Sequence, residues 1–214
     1  AAPVVIGGNQ SVTATADDVS VSENLAERVL VDARLVDEVA RIPGVRKAIG
    51  DVNFPVLTPA GTTPGHGWGS AELAPYTLSS GQAPAGPRDV VLTGDYKVGD
   101  TVQLSVRSRS ESYQVSGIAA GPPAVFFADG VARQLSGDPG KFAAIGVFGD
   151  PDAVDKALAG NKDVTVLSGV DRSEAETADG AQSRVRALLT DARPVHIGQN
   201  VVEVGIPDID RTHP

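Results

Sequence analysis

Residues able to act as acids, bases or metal ligands are few and scattered in this chain. The three histidines are His66, inside a glycine-rich stretch, His196, and His213 beside the last residue. Hydrolases of the α/β class hold their nucleophile in G-x-S-x-G at a strand-to-helix elbow, and no serine here sits in that frame. A Ser-His-Asp triad needs no adjacency in sequence, so the missing elbow limits that chemistry without ending it. Zinc asks for three or four N or S ligands at close spacing; with no cysteine and dispersed histidines, no such set exists. Calcium asks for a dense oxygen array, and Asp17-Asp18 and Asp208-Ile209-Asp210 are isolated pairs that read as solvated surface. The spacing Gly65-x-Gly67-x-Gly69 misses the dinucleotide fingerprint, and no phosphate-binding P-loop is present. Those glycines read as positions where the backbone turns tightly. Carboxylate pairs suited to glycoside hydrolysis arise by chance among 27 acidic residues, and none shares a loop with aromatics that would stack a sugar.

What remains is contact rather than reaction. Trp68, the one tryptophan, either anchors a partner or plugs a gap in the core. His66 lies two residues before it. Phe126 and Phe127 are neighbours on an expected strand, so their rings point to opposite faces. The candidate partner or substrate contacts are Trp68, His66 and Phe126. No catalytic residue, metal or cofactor is expected.

Composition narrows the class further. With 214 residues the chain can build one large domain or two small ones. Aromatics make up 4%, so the core is expected to be Val, Ala, Leu and Ile. A net charge of −9 offers no basic patch for nucleic acid or anionic lipid. No apolar run approaches the roughly 20 residues of a membrane span, and no signal peptide pattern is visible. The first residue is not Met, which suggests a mature or excised piece.

The elements follow from periodicity and punctuation. A short strand at 4–6 ends at Gly7-Gly8, and 11–22 is polar loop or edge strand. A strand at 28–31 leads to Asp32, an N-cap for a helix over 33–42 with Leu35, Val36, Val39 and Ile42 on one face. Pro43-Gly44 stops it, and 45–57 follows as one strand. Residues 58–78, rich in Gly, Pro and Thr, read as a long loop or extended crossing. Strands are expected at 90–92, 101–106 and 113–118, the last two a hairpin with its tip at 107–111. Then strands alternate with helices: a strand at 125–127, a helix capped by Asp129 and running through Leu135, a strand at 142–148, a helix opened by Asp150-Pro151 and closed by Gly160, a strand at 164–167, and a helix over 173–190.

Several of these segments carry a recognisable series. Asp89-Val90-Val91-Leu92, then Val98-Gly99-Asp100-Thr101-Val102-Gln103-Leu104, then Tyr113-Gln114-Val115-Ser116-Gly117-Ile118 run in order. Ala124 to Asp129, Ala143 to Val147, and Val164 to Gly169 with Asp171-Arg172 continue it, and the helix–Ile42-Pro43-Gly44-Val45–strand join precedes it. This series resembles the outer domain of FtsX-like permeases, the membrane subunits of MacB-type ABC transporters. The resemblance covers about 1–189. The chain departs from the family pattern at 93–97, where a short helix is usual, and at 191–214, a polar tail where the family enters a membrane helix.

The resemblance implies an α+β fold: a ferredoxin-like, porter-type α/β subdomain from 1–60 and 121–190, with a β-rich subdomain inserted at 61–120 and a tail at 191–214 of unclear role. It implies an extracytoplasmic place at the cell membrane and no nucleotide site, because ATP is hydrolysed by a separate cytoplasmic subunit. The partners it implies are that subunit, acting through membrane helices before Ala1 and after Leu189, a second permease copy, and an extracellular substrate or protein. Two other readings stand beside it: a secreted or surface-anchored binding module, and an extracellular hydrolase with a pocket of convergent Ser, His or carboxylate groups.

Overall fold

The computed structural model describes residues 2–9, 11–16, 19–24 and 29–168. The expected helix at 173–190, the tail at 191–214, His196 and His213 lie outside these residues.

Two sheets organise the described chain. The smaller contains β1 (Val4–Gly8), β5 (Val45–Asp51), β14 (Ala144–Gly149) and β15 (Val164–Ser168), in the order β15-β1-β14-β5. Every neighbouring pair in it is antiparallel. Between β1 and β5 come the hairpin β2 (Ser11–Ala16) and β3 (Val19–Asn24), the short β4 (Val31–Asp32), and α1 (Arg34–Ala40). Between β14 and β15 comes α3 (Pro151–Leu158). Val4, Ile6, Ile145 and Val147 share one core with Leu35 and Val39 of α1 and Val154 of α3. Alternate strand positions and one stripe of each helix therefore close a two-layer unit. Asp150 caps α3 by accepting the Asp152 N–H at 3.1 Å, with Pro151 in the first turn, as the sequence indicates.

The larger sheet is built from residues between β5 and β14. It contains β6 (Phe54–Thr58), β7 (Gly61–Gly67), β8 (Thr77–Gly81), β9 (Asp89–Thr93), β10 (Thr101–Val106), β11 (Arg109–Ala120) and β12 (Val125–Phe127). The order is β10-β6-β7-β12-β9-β11-β8, and β10 also pairs with β11. That last pairing closes all strands but β8 into a small barrel. Val56, Leu104, Val106, Tyr113, Val115 and Phe127 fill its interior, and Ala132 of α2 (Asp129–Ser136) packs on them. β9 and β12 are covered on both faces: Val90, Leu92, Val125 and Phe127 join the barrel core, while Val91, Ala124 and Phe126 join a second cluster. Double burial explains why these two strands read as unbroken apolar runs.

Four expectations change. The single strand at 45–57 is two strands, β5 and β6, in different sheets. The chain changes sheets at Val52-Asn53, and Val52, 4% exposed, turns into the barrel core. Likewise 142–148 divides into β13 (Lys141–Phe142), which pairs with β4, and β14. The crossing at 58–78 is not irregular: it holds β7, the 3₁₀ helix Trp68–Leu73 and β8. Finally, neither Asp32 nor Asp129 is an N-cap. Ala33 and Ala128 hold those positions, without side-chain cap bonds. Asp32 still accepts the Arg34 N–H at 2.9 Å, and hydrogen bonds from the Arg34 side chain and backbone hold its carboxyl at about 2.

The β10–β11 turn is tighter than the tip expected at 107–111. Arg107 and Ser108, at φ 49° and 64°, make a two-residue turn with Val106 opposite Arg109. Arg107 repays its left-handed backbone by donating to the Ser136 carbonyl at 3.0 Å, at the end of α2. Ser108 makes no comparable bond among the described residues. Ser108→Gly is therefore expected to stabilise the fold by roughly 0.5–1 kcal/mol, the left-handed penalty less the entropy a glycine adds to the unfolded chain. A urea titration at constant slope checks it.

Candidate functional site

Asp51 ends β5 in the small sheet, and His66 lies near the end of β7 in the barrel sheet. Between the sheets they meet: His66 Nδ1 lies 3.0 and 3.2 Å from the two Asp51 carboxylate oxygens and 3.0 Å from the Val52 carbonyl. A carbonyl only accepts, so Nδ1 carries the proton and donates to both acceptors. The side chains are 14% and 19% exposed, so water competes weakly. Nearby, the main chain repeats the tie, with the Ala143 N–H donating to the Asp51 carbonyl at 2.7 Å.

Three aromatic rings and the His66 ring form the apolar side of this seam. Phe126 is 1% exposed, and Trp68 and Tyr76 meet it edge-on at 5.4 and 4.8 Å between centroids. The His66 ring lies 5.8 Å from Phe126. Burial lifts the Tyr76 phenol above its ordinary pKa, and the charge of Asp51 adds to the effect. The 3₁₀ helix that begins with Trp68 ends with Leu73, which packs where a side chain on Gly146 of β14 would lie. Its Glu72 also pairs with Lys47 of β5 at 2.6 Å, an exposed contact of small energetic weight. One short helix thus touches both sheets.

The glycines around His66 serve space rather than turning. None of Gly65, Gly67 and Gly69 has a positive φ. A Cβ on Gly65 would lie 2.5 Å from Val56 Cγ2 and 2.8 Å from Phe54 Cε2, inside the barrel. A Cβ on Gly67 would lie 2.6 Å from Asp129 Oδ1, which accepts the Gly69 N–H at 2.8 Å. The tight-turn reading of these residues is replaced by one of close approach.

The structure brings the sequence candidates His66, Trp68 and Phe126 into one cluster. Phe126 is enclosed and presents no surface to a partner, whereas His66 and Trp68 are half-buried. Sequence reasoning missed Asp51 and Tyr76. Asp51 lies 15 positions from His66, where no local spacing rule connects them.

The Ser70 hydroxyl donates to the Gly67 carbonyl at 2.8 Å, so its proton is directed at the backbone rather than at a base. Among the described residues no three His, Cys, Asp or Glu side chains converge as for a metal ion. His66→Ala is expected to destabilise the fold by about 1–3 kcal/mol, since it strips a half-buried carboxylate of its donor. Equilibrium unfolding in urea measures it.

No family model matches this chain, and no curated protein sequence matches it. Solved structures do. The periplasmic region of MacB from Actinobacillus actinomycetemcomitans is similar at TM-score 0.55 and 10% identity, over 82% of this chain and 92% of that one. The chain has the fold of the MacB periplasmic region. The extracellular domain of the noncanonic ABC-type transporter YknZ from Gram-positive bacteria is also similar, at TM-score 0.49 and 10% identity, over 67% of this chain and 92% of that one. At such identity the MacB likeness concerns the path of the chain, not the Asp51–His66 pair or the rings around it. No described helix is long and apolar enough to cross a membrane.

Proposed function

We propose that this chain is the extracytoplasmic domain of an ABC transporter permease of the FtsX/MacB type. In this reading ATP hydrolysis on a cytoplasmic subunit moves membrane helices, and those helices tilt the domain against a substrate or partner outside the membrane. Its role is mechanotransmission, without catalysis of its own. The observation that carries the proposal is the MacB-like fold, reached independently of the motif series that suggests the same family.

The strand order supports the finer architecture. With its two helices, the small sheet runs β-α-β-β-α-β in the order fourth, first, third, second. We read it as the ferredoxin-like, porter-type subdomain. The inserted subdomain then spans 52–143, between β5 and β14, wider than the 61–120 inferred from sequence. A lever must pass displacement on without absorbing it. Close-packed cores do so, because they move as bodies rather than deform. The Asp51–His66 tie and the Phe126 cluster couple the two sheets for that purpose.

The reading frame that encodes this chain is expected to hold apolar spans of about 20 residues before Ala1 and soon after Leu189. Its full-length product should co-purify with an ATP-binding subunit. A frame that supplies a signal peptide or lipid anchor and no later span favours the secreted binding module instead.

A further inference from the structure

Among the described residues β8 is an open edge. It sits at the end of the larger sheet, its one strand partner there is β11, and all five of its residues are exposed. Among the described residues no strand pairs with its outer rail. Folded proteins protect such edges with lysine, proline or cover, and Thr77-Leu78-Ser79-Ser80-Gly81 has no lysine and no proline. The whole stretch from Leu73 to Pro87 carries no charge, in a chain where charged residues make up 21%. Leu78 adds an apolar side chain, 39% exposed.

The end of β8 borders a cleft of 410 Å³. β8 and β10 lie along the same edge of β11 and part near its middle, where the Gln82 N–H donates to the Ser116 carbonyl and the Gly99 N–H to the Val115 carbonyl. Gly81 and Gln82 form one wall, Val98 and Gly99 another, and Asp89 also lines the cleft. Val98 is 48% exposed. Asp89 Oδ2 accepts the Ala85 and Gly86 N–H groups at 3.2 and 2.7 Å. Its Oδ1 accepts no hydrogen bond among the described residues.

The geometry points to β8 and this cleft as a binding site for an extended segment of a partner polypeptide. The segment adds to the sheet as a strand on the outer rail of β8 and runs on past Gly81 into the cleft beside β11, where one Arg or Lys side chain meets Asp89 Oδ1. Main-chain bonding to a sheet edge supplies affinity, and a side-chain pocket beside it supplies selectivity. Charge decides the partner's chemistry. The chain carries a net −9, which repels an acidic segment or a second copy of itself and attracts a basic segment.

A fluorescein-labelled peptide of about eight residues, alternating Val and Thr with one central Arg, tests this against the full chain by fluorescence anisotropy. The expected Kd is below about 0.5 mM. Replacing the peptide's Arg by Glu, or methylating alternate peptide nitrogens, should weaken binding by at least about tenfold. Asp89→Asn should weaken the Arg peptide by a similar factor with an unchanged unfolding midpoint, because Asn still accepts the two backbone bonds. Hydrogen exchange should slow at Thr77–Gly81 when the Arg peptide binds. Equal binding of the Arg and Glu peptides, no binding at about 1 mM, or protection elsewhere in the fold would overturn the assignment. Protection of Thr77–Gly81 that grows with protein concentration, without peptide, would also overturn it, since a second copy would then be the occupant.

Discussion

Phe127→Ala is expected to remove about 3–5 kcal/mol of folding stability. The ring is wholly buried inside the barrel, 5.8 Å from Phe54 and 5.4 Å edge-on from Tyr113. It comes from the short strand that joins β7 on one side to β9 on the other, where β7 supplies glycine at Gly65 and Gly67. Its glycine neighbours on β7 have no side chain to move into the space, so the loss adds a cavity to the transfer free energy. Near the midpoint this lowers Tm on the order of 10 °C. Differential scanning calorimetry and urea unfolding measure it, and a loss under about 1 kcal/mol would mean that the barrel does not enclose this ring.

Phe126→Ala is expected to cost a comparable 3–5 kcal/mol or so, from the opposite face of the same strand. The two variants differ in what else they disturb. Phe126 is the ring on which Trp68, Tyr76 and His66 converge. Trp68 is the only tryptophan, so its emission reports on this cluster alone. Phe126→Ala should let water reach the indole and shift native-state emission to the red, and should lower the Tyr76 pKa towards its ordinary value as the phenol is rehydrated. Phe127→Ala should leave both signals near wild type in the folded state. Equal Trp68 shifts in the two variants would contradict the separation of the two cores.

How much of this was legible in the sequence follows from what periodicity encodes. Alternation marks a strand but not its sheet. Across the join, Asp51-Val52-Asn53-Phe54 alternates polar and apolar as a single strand would, so the change of sheets leaves no break in the pattern. Strands β9 and β12 were plain, because burial on both faces made continuous apolar runs. Strand β7 was hidden for the opposite reason. Its Gly65 and Gly67 face packed side chains that leave no room for a Cβ, so a strand was written in residues that usually mean loop. The first third of β11, Arg109-Ser110-Glu111-Ser112, was hidden by its polarity; Arg88 beside it pairs with Glu111 and holds that carboxyl below its usual range. At the seam, residue type alone suggested His66, Trp68 and Phe126. Asp51 could not be found that way, since one acidic residue among 27 stands out only once the fold brings it to an imidazole.

The claim that this domain is a lever worked from the membrane is tested most directly by where it sits in the living cell. The chain contains no cysteine, so a single Ser108→Cys in the exposed β10–β11 turn gives one thiol within it. In the full-length protein that thiol should react with a membrane-impermeant maleimide in intact cells, while the protein stays in the membrane fraction after alkaline carbonate extraction. Labelling only after lysis, or release by carbonate or into the medium, would contradict the account.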